Sequence, residues 1–289
     1  MEFKAQKYAD FLLLLVAVSW GSTFVLVQNA IKDMPPFTFL AIRFFFAFLF
    51  MFTIFFKKIS FDINSLKASV LLGLFNFLAY STQTYALYYT SSSIVAFITG
   101  LNVVLVPIIA FFIFKKRISV FSIIGVMLAA IGIYFLTLNN GLNTIGLGEI
   151  LTFICAVFVA MHINYTDIFS KKYNIYTLVT FQFLAISIFS LIFIPFEKNS
   201  VSFSFNVISA LIITILFATV FAFLVQTYAQ KFTTPTKTAV IFAMEPVSAA
   251  IFGYFNHEIL TERQILGAIF VITAMILAEA GKTLFTKIF

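Results

Sequence analysis

Gln83-Thr84-Tyr85-Ala86 recurs unchanged as Gln226-Thr227-Tyr228-Ala229, 143 residues further along a chain of 289. A spacing so near half the length marks a duplication, and the flanks agree. At the same offset Thr90 falls on Thr233, Ala96 on Ala239 and Ile98 on Ile241. After a slip of one residue, Ser119, Gly125 and Ala129 fall on Thr261, Gly267 and Val271. Four matching letters carry little alone; their weight comes from the solvent that the rest of the chain demands.

That solvent is lipid. Hydrophobic residues make up 62% of the chain and charged residues only 10%, with a mean hydropathy of +1.08, whereas a soluble domain is about a quarter charged. No polar stretch is long enough for a separate aqueous domain, so residues 1–289 read as one membrane domain. Ten apolar runs, each near the ~20 residues that a helix needs to cross a bilayer, lie at 9–31, 36–56, 68–89, 92–114, 119–138, 147–168, 176–195, 206–229, 237–255 and 263–281. The first follows Lys4 and Lys7 as a secretory signal would, but no small-residue cleavage site comes after it, and it reads as a retained helix.

A net charge of +7 would suggest a nucleic-acid partner in water; here the placement of the charges accounts for it. With connections assigned to alternate sides, one side receives Lys4, Lys7, Lys57, Lys58, Lys67, Lys115, Lys116, Arg117, Lys171, Lys172, Lys231, Lys237, Lys282 and Lys287. The other side receives Lys32, Lys198 and Arg263, and Arg43 falls inside a span. Basic loops stay in the cytoplasm, which predicts that both termini are cytoplasmic and excludes nucleic acid as a partner. Five spans per half is an odd number, so the second copy of the repeat enters the bilayer upside down. Carriers use that architecture to bind substrate between the halves and to open on alternate sides, although a duplicated bundle is also retained for packing alone. On this scheme the two Gln-Thr-Tyr-Ala copies lie near opposite faces, as gate elements rather than as two halves of a central site.

Trp20-Gly21-Ser22-Thr23-Phe24 in the first span, Arg43 after Pro35-Pro36, and Glu245-Pro246-Val247 followed by Glu258 and Gly267 together resemble EamA-type carriers of the drug/metabolite transporter superfamily. The resemblance covers essentially the whole chain. It implies an all-α membrane protein of ten helices in two inverted five-helix repeats, 1–140 and 146–285. It further implies an exporter of amino acids or other small metabolites in the bacterial inner membrane. Lys116 standing where the second repeat has Glu258, and a sixth span without Trp-Gly, show that the halves have diverged.

Polar groups inside spans give the candidate site. An ionised group at mid-bilayer costs at least about 2.5–3.5 kcal/mol, and Arg43 and Glu245 lie at similar depths from opposite faces, so both are expected on one polar interior, pairing in at least one state. Two readings of Glu245 stand: a group that titrates during transport, or half of a structural ion pair. Trp20, Ser22, Thr23, Asn76, Tyr80, Gln83, Asn102, His162 and Gln182 complete the predicted binding set, although any one of them also serves as packing glue between helices. His162 joins Glu245 as a proton-coupling candidate. Tyr85, Tyr228, Pro235 and Pro246 are the gate and hinge candidates, Pro246 because it frees a carbonyl one turn earlier.

The expected partners are a small-molecule substrate and membrane lipid. No cofactor and no metal are expected. His162 and His257 are far apart, Cys155 is the single cysteine, and no phosphate-binding Gly-x-x-x-x-Gly-Lys-Ser/Thr loop supplies ATP hydrolysis. The 42 phenylalanines are spread over every span and say nothing about the substrate. A multidrug or lipophilic-cation efflux carrier is the alternative transporter. A membrane-embedded lipid or isoprenoid transferase is the enzymatic alternative, weakened by the isolated acids and histidines.

Overall fold

In hydrocarbon every backbone polar group must be satisfied within the protein, and helices do this segment by segment. The computed structural model, which describes residues 2–115, 120–137, 145–197 and 201–285, is helical throughout, with no strand among the described residues. The elements are α1 (Glu2–Ala30), α2 (Pro36–Phe55), α3 (Ile63–Ala86), α4 (Ser92–Thr99), α5 (Asn102–Phe114), α6 (Val120–Thr137), α7 (Leu147–Lys172), α8 (Ile175–Phe193), α9 (Phe205–Ile213), a π-helical segment (Thr214–Phe221), α10 (Ala222–Ala229), α11 (Pro235–Phe242), α12 (Met244–Phe255) and α13 (Glu262–Phe285). Eight crossings are long and apolar enough for a bilayer among the described residues: Tyr8–Ala30, Pro36–Lys58, Ile63–Ala86, Ser92–Phe114, Leu147–Lys172, Ile175–Phe196, Phe205–Ala229 and Pro235–Phe255. The chain is a multi-pass membrane protein. At the other two expected positions, α6 carries the shorter apolar helix Ile123–Gly132 and α13 is helical. Lys116, Arg117, Ser119, Lys198 and Lys287, used above for charge and repeat, lie outside the described residues.

Three spans expected to be continuous are not. The fourth breaks at Gly100-Leu101 between α4 and α5, and the ninth breaks at Ala243 between α11 and α12. Gly100 and Ala243 are 143 positions apart, so the break is repeated with the sequence. The Asn102 amide donates to the Thr99 carbonyl (2.9 Å), returning a partner to a group the break would leave bare. The eighth span widens into the π segment, a form that recurs at functional sites. Helix starts are held by Asp62, whose carboxylate accepts from the Ser65 amide, and by Asn174, which accepts from Tyr176 and Thr177.

The halves interleave. α1 packs along α12 and α11 and along α9 and α10 of the other half, while α7 packs along α5, α4 and α3. α2 and α3 both lie on α8, and α6 lies on α13. Gly21 permits the α1–α12 approach: a β-carbon there would sit 2.4 Å from the Glu245 carbonyl oxygen. Gly132 does the same for α6 on α13, 2.9 Å from the Gly267 carbonyl. Much of the aromatic excess faces outward, with Phe112 74% and Phe205 84% exposed, as a lipid-facing surface requires.

Candidate functional site

The break at Ala243 sets Glu245 in the first turn of α12, buried, with no hydrogen-bond or ion-pair partner for its carboxylate among the described residues. Opposite, α2 brings in Arg43, 3% exposed. Its Nε donates to Thr219 Oγ1 (2.7 Å) and its Nη2 to the Ala218 carbonyl (3.3 Å). The guanidinium lies 5.0 Å from the Tyr80 ring centre and 5.2 Å from that of Phe44, a cation–π arrangement that favours a desolvated cation. The π segment supplies those acceptors, and the Ala218 carbonyl takes a second hydrogen bond, from Trp20 Nε1 (2.8 Å).

Arg43 and Glu245 line one cavity without pairing. Trp20, Tyr80, Phe223 and Phe242 supply its aromatic wall, and Thr23, Asn76, Gln83, Thr84, Thr99, His162 and Gln226 its polar groups. It reaches Val27 and Leu87, at the ends of α1 and α3 away from the N-terminus. Toward the N-terminal face the bundle is filled by Leu13, Val16, Ala17, Leu101 and Val104, all buried.

The walls repeat in pairs. Arg43 and Gln182 are 139 positions apart, and Asn76 and Thr219 are 143 apart. Arg43 bonds to Thr219, and Gln182 Oε1 accepts from Asn76 Nδ2 (3.2 Å), so the same cross-half contact is made twice by counterpart residues. Thr23 with His162, Tyr80 with Phe223, and Gln83 with Gln226 are further counterparts that meet at this cavity. Glu245 has Asn102 as its counterpart, so each charged residue corresponds in the repeat to a neutral amide in the other half.

Of the predicted binding residues, Trp20, Thr23, Arg43, Asn76, Tyr80, Gln83, His162 and Glu245 come together at the cavity. Three do not line it. Ser22 bonds back to the Ser19 carbonyl on its own helix. Asn102 sits behind the break, and Gln182 stands behind His162, whose Nε2 is 3.1 Å from Gln182 Oε1 and 3.3 Å from Thr166 Oγ1. The gate candidates scatter. Tyr85 donates to Glu197 Oε1 (3.4 Å), Tyr228 is 44% exposed, Pro235 starts α11, and Pro246 occupies the first turn of α12, where its missing N–H matters least.

The two Gln-Thr-Tyr-Ala copies, read above as gate elements rather than as two halves of a central site, both contribute to the cavity: Gln83 was expected among the binding residues, and Gln226 lines the cavity with it. Thr99, Phe223 and Phe242 are cavity residues that composition alone does not single out; adding the repeat spacing to Tyr80 finds Phe223. Also unforeseen are two carboxylates holding helix starts across the halves. Glu197 accepts from the Phe37 and Thr38 amides (2.7 and 3.0 Å), and Glu258 accepts from the Ser92 and Ser93 amides (3.2 and 3.1 Å). No group of three metal-binding side chains occurs among the described residues.

Comparison with known proteins gives a concordant picture. The model of the EamA-like transporter family matches residues 7–138 and 146–279. An uncharacterised transporter of Archaeoglobus fulgidus is 38% identical over 273 residues, 94% of this chain and 86% of its own length. The uncharacterised transporter YoaV of Bacillus subtilis is 24% identical over 270 residues, covering 90% of this chain and 92% of YoaV. A solved crystal structure at 14% identity superposes with a TM-score of 0.68 over 95% of this chain and 97% of that one, a likeness of fold.

Proposed function

Because the chain belongs to the EamA-like transporter family, and is therefore a membrane transporter rather than an enzyme, we propose that it is a secondary carrier exporting amino acids or similarly small zwitterionic metabolites. It works by alternating access between two inverted five-helix repeats. In this reading α6 and α13 complete ten spans, the membrane is the cytoplasmic one, and both termini are cytoplasmic, as the skew of basic residues favours. No cofactor takes part; the energy comes from the substrate gradient or from protons taken up at Glu245, with His162 as the second candidate.

The observation that carries the proposal is the cavity's pair of opposite charges held apart. Glu245 offers an unpaired acceptor to an ammonium group, and Arg43, pinned by Thr219 and Ala218, keeps guanidinium donors for a carboxylate. The repeated Arg43–Thr219 and Asn76–Gln182 contacts and the matched helix breaks support the inverted-repeat reading. A second reading, export of lipophilic cations, draws on the same Glu245: of the two charged groups, only the acid lacks a partner among the described residues, and aromatic rings line the cavity it shares.

Counterflow in proteoliposomes decides between them. Zwitterionic amino acids that trans-stimulate uptake of their labelled counterparts uphold the first reading. Trans-stimulation by lipophilic cations alone transfers the case to the second, and non-saturable flux sinks both. Glu245→Gln is expected to lower exchange at least tenfold, about 1.4 kcal/mol, and to flatten its pH dependence; if both are unchanged, Glu245 is not the coupling group.

A further inference from the structure

The repeat pairs residues that line the cavity with residues that do not. Val27, Thr84 and Leu87 line the cavity away from the N-terminus; at 139, 143 and 143 positions further on stand Thr166, Thr227 and Gln230. None of these three lines the cavity, and they are 0, 1 and 0% exposed, against 7, 2 and 5% for their counterparts. Polar side chains so completely buried are normally satisfied, yet in this layer Gln230 Oε1, Asn102 Oδ1 and Asn164 Oδ1 are buried without partners. The layer is continuous: Gln230 donates to the Ile163 carbonyl (3.1 Å) and Asn164 to the Val106 carbonyl (3.0 Å), linking α10, α7 and α5.

One contact fastens its outer end. Lys237 Nζ on α11 lies 2.7 Å from Asp10 Oδ2 on α1, an ion pair between the halves near the N-terminal face. The counterpart positions are Ile94 and Glu149, which form no ion pair among the described residues, so this fastening is not repeated with the sequence.

We propose that Thr166, Thr227, Gln230 and Asn102 line a second access path, closed in this conformation, and that Asp10–Lys237 is its gate. The inference rests on the carrier reading above. When the halves exchange conformations, water and substrate reach the N-terminal face past Gln230, and the unpaired amide oxygens find hydrogen bonds there. With Thr166 and Gln230 in place of Val27 and Leu87, this mouth is the more polar of the two and suits a hydrophilic solute.

Cysteine labelling tests it without knowledge of the substrate. In a Cys155→Ala background, which removes the one native cysteine, Gln230→Cys and Thr227→Cys are exposed in sealed vesicles to a membrane-impermeant maleimide on one face at a time. Reagent at the N-terminal face is expected to label both. Asp10→Asn, or Lys237→Gln should that variant misfold, is expected to accelerate labelling about two- to fivefold, the range a partly exposed ion pair supports. Leu72→Cys, equally buried but between α3 and α8, is expected to stay unlabelled. No labelling of Gln230→Cys and Thr227→Cys from that face, no acceleration when the ion pair is removed, or equal labelling of Leu72→Cys overturns the proposal. Intact counterflow without labelling removes the path and leaves the carrier; labelling without counterflow removes the carrier and leaves the path.

Discussion

Gly21 holds a place that no larger residue can take. Its α-hydrogen face meets the Glu245 carbonyl and Ser248, so the Trp20-Gly21 motif marks where α1 is pressed onto the start of α12. Gly21→Ala is expected to force the two helices apart and cost about 1–3 kcal/mol, as overpacking does, read as a lowered unfolding temperature in detergent. Removing the nearby hydroxyl with Ser248→Ala is expected not to rescue it, since the backbone oxygen remains; full rescue would show that the side chain alone sets the contact. At this scale Arg43 and Glu245 were legible because lipid singles out a charge, whereas Thr99 and Phe242 look like any other membrane residue until their neighbours are known.

Elements were legible as apolar runs but not in their interruptions. Hydropathy is blind to a break at Gly100-Leu101 or Ala243, since the residues there are as apolar as the helices they join, and it is blind to a π segment that alters bonding rather than composition. Caps are more readable. Asp62 accepts from the Ser65 amide and hydroxyl, and those hydrogen bonds hold its carboxyl below the ordinary carboxylate value. A depressed folded-state value means the cap stabilises fully above the unfolded value and fades as pH falls through the folded one. Asp62→Asn is therefore expected to flatten the acid limb of the unfolding-temperature profile, with little change at neutral pH. An unaltered acid limb would remove Asp62 from the account.

For the molecule as a whole, interleaving sets the behaviour. Because α1 is packed on α11 and α12, and α7 on α4 and α5, each half buries much of its surface against the other. Expressed separately, residues 1–144 and 145–289 are expected to be degraded or aggregated, and co-expressed, to restore counterflow; a half that is monodisperse alone would show that packing within a half suffices. Lipid as solvent, the duplication and the asymmetry of charge could be read from the chain, because each depends on composition and spacing along one dimension. The pairing of Arg43 with Thr219, the solitude of Glu245 and the Asp10–Lys237 fastening could not. They are contacts between residues well over a hundred positions apart, and their geometry exists only once the two halves have packed.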